Sequence, residues 1–163
     1  MIPEALMATM TDFLSTVEAE VAAAGSFVTL LELEQEMLTK GEVEHLQELV
    51  QQKNGLAVQL ATLAEQRHQV LAAEGLTADR AGLSAWFAAH PTASRAHAAW
   101  TLLLSIASQA RDLNRMNGEL IQLRMQYNAR ALEALLGTRS AFGLYGPDGQ
   151  NTLSSGPRIS DSA

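Results

Sequence analysis

No cysteine occurs in the 163 residues, so a disulfide framework, a zinc ribbon, an iron–sulfur cluster and a thiol nucleophile are all excluded. Nothing calls for an oxidising compartment. Basic residues are few, 11 Lys and Arg against 18 Asp and Glu, for a net charge of −7. A surface that holds phosphates needs the opposite balance, which argues against a footprint for nucleic acid or anionic lipid and excludes nucleic-acid binding as the main role. Long apolar runs are missing as well. The longest, Ala98 to Ala107, is interrupted by Thr101 and Ser105 and is too short to span a bilayer. The start, Met1-Ile2-Pro3-Glu4, lacks the basic and apolar regions of a signal peptide. The expectation is a cytoplasmic chain without direct membrane insertion. What is present in quantity is apolar side chain, 47% of the residues, enough for the buried core of one domain.

From Glu4 to Thr39 there is no Pro and Gly25 is the only Gly, while Leu6, Met10, Phe13, Val17, Ala24, Leu31 and Leu38 recur at steps of three and four or their multiples. That spacing predicts one long helix with a heptad seam, stopped by Lys40-Gly41. A second helix is expected from Glu42 to about Glu74 on Leu46, Leu49, Lys53, Leu56, Leu60, Leu63, Arg67 and Val70, stopped by Gly75. The two should form an antiparallel hairpin. A short helix carrying Leu83, Trp86 and Phe87 should plug one end. After Pro91, with Thr92 as a candidate N-cap, a third long helix is expected to run to Leu136 and stop at Gly137. It carries two stripes, one from Leu103 through Asn114, Asn117, Ile121, Arg124 and Asn128 to Leu135, the other Leu113, Met116, Leu120, Leu123 and Tyr127. A helix apolar on two sides usually has two neighbours. The fold class is therefore all-α: an elongated antiparallel bundle of three long helices plus one short helix, residues 1–137, with a flexible tail over 138–163. Gly, Ser and Pro dominate that tail around Leu144-Tyr145-Gly146-Pro147-Asp148-Gly149.

Chemistry finds little support. Glu42-Val43-Glu44-His45 and Glu65-Gln66-Arg67-His68 match Glu-x-x-His, the spacing of carboxylate-bridged metal bundles, but such sites draw the pairs from different helices. Both pairs here fall on one predicted helix, so no metal is expected. Phosphate-cradling glycine loops and nucleophile elbows are absent, and neither catalysis nor a cofactor is expected. Glu20, Glu34, Lys53 and Arg67 stand near seam positions, where charged residues usually fix register or snorkel. Asn114 and Asn117-Gly118 interrupt the apolar face of the last helix, where they could set register or meet another backbone.

The order of these features resembles the FlgN family of flagellar secretion chaperones. The resemblance rests on Leu31 through Glu42, on Leu46, Leu49, Lys53 and Leu60 through Arg67, on the Trp-containing Leu83 to Phe87, and on Trp100. Its most specific parts are Ala110-Arg111-Asp112-Leu113-Asn114-Arg115-Met116-Asn117-Gly118-Glu119-Leu120-Ile121 and Leu144-Tyr145-Gly146-Pro147-Asp148-Gly149-Gln150. It implies an ATP-independent cytoplasmic chaperone that holds the carboxy-terminal helical segments of the hook-associated proteins FlgK and FlgL, prevents their early self-association and delivers them to the cytoplasmic domain of the export gate. Carried onto this chain, the substrate surface would be Asn114, Asn117, Gly118, Ile121, Arg124, Met125 and Asn128, and Tyr145 the gate contact. The competing expectation is a homodimeric coiled-coil adaptor whose second stripe closes a symmetric bundle.

Overall fold

The computed structural model describes residues 3–142, which form four helices and no strand: α1 (Glu4–Lys40), α2 (Leu46–Ala73), α3 (Arg80–Ala89) and α4 (Ser94–Phe142). The all-α expectation of three long helices and one short one holds. Gly41 ends α1 as expected, at φ 81°, and both its N–H and that of Glu42 reach the Met37 carbonyl, at 2.9 and 3.0 Å. Only glycine takes that left-handed conformation cheaply. Gly75, at φ 73°, marks the end of α2 in the same way.

Three boundaries differ from the sequence reading. The second helix starts at Leu46, not Glu42, because the chain must reverse after Gly41 and spends residues 42–45 on the connection. The last helix starts at Ser94, two residues past Thr92, and continues through Gly137 to Phe142. A glycine costs a helix about 1 kcal/mol relative to alanine, but it stops one only where it takes a positive φ. Among the described glycines, Gly41 and Gly75 alone do so.

The hairpin register is written in charge. Glu34 accepts from Lys53 Nζ at 2.9 and 3.0 Å, and Glu20 accepts from Arg67 Nε at 2.9 Å and Nη2 at 3.3 Å. Going from Glu20 to Glu34 along α1 goes back from Arg67 to Lys53 on α2, two heptads in each case. The two helices are therefore antiparallel and in phase. Along α4, Arg95 donates to Glu18 and Asn117 to Leu31 and Glu34, so α4 runs in the direction of α1.

One apolar cluster joins Phe13, Val17 and Ala24 of α1, Leu71 of α2, Leu83 and Trp86 of α3, and Ala96 and Leu103 of α4. At its centre Trp86, fully buried, stacks on Phe13 with ring centroids 3.9 Å apart and on His90 at 4.1 Å. Its indole N–H donates to Glu74 at 3.2 Å. Leu83, Trp86 and Phe87 thus plug one end of the hairpin as expected, where the start of α1, the end of α2 and the start of α4 meet. Asp79 starts α3, its carboxylate accepting from the Gly82 N–H at 2.9 Å. The Thr77 hydroxyl, and then this N–H, hold its carboxyl below the usual range. Gly82 is required by space: a Cβ there would lie 1.7 Å from the Thr77 carbonyl oxygen.

By length and composition α1 could cross a membrane. Its seam residues Phe13, Val17, Ala24 and Leu31 are nevertheless buried in the bundle, and its two buried carboxylates are paired with α2. That is the pattern of a core helix. The chain divides into two compact units, Met1–Ile121 and Gln122–Ala163. All the packing above belongs to the first.

Candidate protein-binding site

Each face of α4 has a different occupation. In the first unit its packed line passes through Ala96, Leu103, Ala110, Leu113, Asn117 and Leu120, between the two stripes read from the sequence and sharing residues with both. Asn117 is 1% exposed, and its amide donates to the Leu31 carbonyl at 2.8 Å and to Glu34 Oε1 at 2.9 Å. Glu34 thereby serves three helices, with Lys53 of α2 on its other side. Asn117 Oδ1 has no hydrogen-bond partner among the described residues. A buried amide held in this way sets which turn of α4 lies against which turn of α1, since any slip leaves donors and acceptors unmatched.

This separates Asn117 from the other residues expected at a substrate surface. In the first unit Asn114 and Gly118 are exposed, Ile121 is 42% exposed, and a Cβ at Gly118 would meet no atom within 4 Å. In the second unit Arg124 is half-buried, while Met125 and Asn128 are exposed. Tyr145 and the motif around it lie outside the described residues. The residues expected at a substrate surface do not include what the second unit offers most: Leu123, Tyr127, Leu132, Leu135 and Leu136 are each more than half exposed. Four of them, all but Leu136, stood on the two apolar stripes. Spacing named them as apolar positions, and only solvent exposure marks them as unsatisfied.

The two Glu-x-x-His pairs end up apart from any shared interior. Glu42 and His45 precede α2, and Glu65 and His68 sit 3.7 Å apart on its partly exposed face. Among the described residues no three His, Asp or Glu side chains gather as a metal site. His90 packs inside the core, its Nδ1 2.8 Å from the Trp86 carbonyl.

The matches to known proteins bear on what this surface is for. The family model described as FlgN protein matches residues 7–152. Two curated relatives named "Flagella synthesis protein FlgN", one from Yersinia enterocolitica and one from a serotype O:8 strain of the same species, are each 32% identical over 127 residues, covering 76% of this chain and 78% of the relative. No solved structure matches the chain. With the family model spanning nearly every helix described above and both relatives aligned over three quarters of the sequence, the chain belongs to the FlgN family.

Proposed function

We propose that this chain is a cytoplasmic flagellar export chaperone that binds the carboxy-terminal helical segments of hook-associated proteins, FlgK and FlgL among them, and carries them to the cytoplasmic domain of the export gate. Family membership and the relatives' role in flagella synthesis support the setting. One observation carries the binding reading: Leu123, Met125, Tyr127, Leu132, Leu135 and Leu136 present apolar side chains to solvent over four helical turns. Keeping so much apolar surface in water is costly unless a partner covers it. A cargo segment that is disordered when free can fold onto such a helix as an amphipathic helix, and the cost of ordering it keeps the affinity moderate and allows release. The work is holding and hand-over, without catalysis.

In this proposal the cargo surface in the second unit is Met125 with Asn128, Arg124 and the exposed leucines. Asn114, Gly118 and Ile121 extend the candidate surface within the first. Asn117 contributes by fixing the helix, and Tyr145 is the proposed gate contact. Calorimetric titration with synthetic carboxy-terminal segments of FlgK and FlgL should give saturable one-to-one binding with a negative heat-capacity change. Tyr145→Ala should leave that binding unchanged and weaken binding to the gate domain. Absence of cargo binding, together with a stable dimer in light scattering, would replace the chaperone reading by the self-associating adaptor.

A further inference from the structure

We infer that the cleft enclosed by α2, α3 and α4 in the first unit is a docking site for an acidic peptide segment, an aspartate or glutamate flanked by apolar residues. The cleft measures about 590 Å³, within the roughly 300–1,000 Å³ of preformed ligand sites. Its apolar wall is made by Leu83 and Phe87 of α3 and Trp100 and Leu104 of α4. Leu104 is 54% exposed, so part of that wall is left to water.

The polar atoms around the cleft decide the occupant's charge. Asp79 is the single carboxylate on the lining, and its Oδ1 already accepts from the Thr77 hydroxyl at 2.5 Å and the Gly82 N–H at 2.9 Å. It also sits at the start of α3, where the helix dipole offsets its charge. The uncommitted groups offer N–H. The Arg80 side chain is exposed and enters no hydrogen bond or ion pair among the described residues. Arg67 gives Nε and Nη2 to Glu20 and holds its guanidinium 4.8 Å from the Trp100 ring, which leaves Nη1 unused by either bond. His97, edge-on to Phe87 at 5.0 Å, carries an N–H in either tautomer. A neutral apolar ligand would make no use of these donors, whereas a carboxylate matches the arginine fork in two parallel bonds.

The cleft's length favours a peptide over a small free acid. His97, Trp100 and Leu104 form one row on α4, spanning about 10 Å at 1.5 Å per residue. Three residues of extended chain cover the same distance. The occupant is therefore a short extended stretch, its carboxylate on Arg80 and its neighbours against Trp100 and Leu104.

Leucyl-aspartyl-phenylalanine capped at both ends, titrated into the full chain, should shift the Trp100 indole and His97 ring signals in NMR spectra saturably. The asparaginyl counterpart should bind at least tenfold more weakly. Arg80→Glu, at an exposed first-turn position where a carboxylate suits the helix dipole, should keep the helical circular-dichroism signal and abolish the tenfold preference. Equal binding of the two peptides, no binding of either, or an unchanged preference in Arg80→Glu would overturn the proposal. So would benzoate binding as tightly as the aspartyl peptide, which would make this a small-anion site. The same shifts on raising the protein concentration alone would assign the cleft to a second copy and overturn it too. Cargo binding at the second unit should be unaffected by Arg80→Glu, so this site and the chaperone reading stand or fall separately.

Discussion

Along α4, residues 94–120 and 122–137 carry apolar side chains at similar helical spacing, yet only the first stretch buries a face. In the first stretch one face is buried, through Ala96 and Leu103 to Asn117, while Leu102 and Leu104 lie half-exposed on the other; in the second Leu123, Met125, Tyr127, Leu132, Leu135 and Leu136 are all more than half exposed. Periodicity therefore names a face of a helix, and a neighbour decides whether that face is a core or a docking surface. The first stretch also shows how its neighbours are held. Near its start, aromatic area dominates, with Phe13, Trp86 and Trp100 around the aliphatic cluster. Near its end a polar layer takes over, where Glu34 joins Lys53 and Asn117. Area gives stability, whereas matched donors and acceptors give register.

That contrast can be broken from the aromatic end first. Trp86→Ala removes a fully buried ring stacked on two others and should cost about 3–5 kcal/mol, read as a large drop in the denaturant midpoint. In the polar layer, Glu34→Ala strands Lys53 and the Asn117 amide and should cost about 3 kcal/mol. Glu34→Gln, which keeps an acceptor, should recover part of this. If both substitutions left the midpoint unchanged, the polar layer would not be holding the helices. Asn117→Ala should cost about 1–2 kcal/mol through two lost bonds. Its larger effect should be on uniqueness, seen as exchange broadening of α1 and α4 resonances. The smallest stability effect belongs to the second stretch: Met125→Asp, at a side chain 66% exposed, should change the unfolding free energy by less than about 0.5 kcal/mol while weakening cargo binding. A collapse in stability there would mean that the residue is already packed.

Much of the first unit could be read from the chain. The seam of α1 is the observed one at Phe13, Val17, Ala24, Leu31 and Leu38, because a heptad on a long helix leaves few ways to bury its stripe. Gly41 stops α1 because it takes the left-handed conformation that turns the chain while its N–H caps the Met37 carbonyl. Gly137 has the same chemistry and is passed through, since nothing at that point turns the chain. Glu20 and Glu34 stood near the seam on spacing alone, and their pairing with Arg67 and Lys53 required the antiparallel register, which spacing leaves open by a turn.

The candidate site was legible in the same uneven way. Asn117 drew notice as a polar break in an apolar face, but its direction was hidden: a register lock and a partner contact demand the same residue at the same spacing, and the 2.8 Å bond to Leu31 separates them. The cleft beside Trp100 left no trace in the pattern, since residues from three helices line it. The sequence by itself determined the helices, the hairpin seam and the kinship, all of which depend on residues near one another along the chain. The tertiary structure alone decided which charges pair, which asparagine is buried and which apolar side chains remain in water, because each of these depends on what the rest of the chain brings alongside.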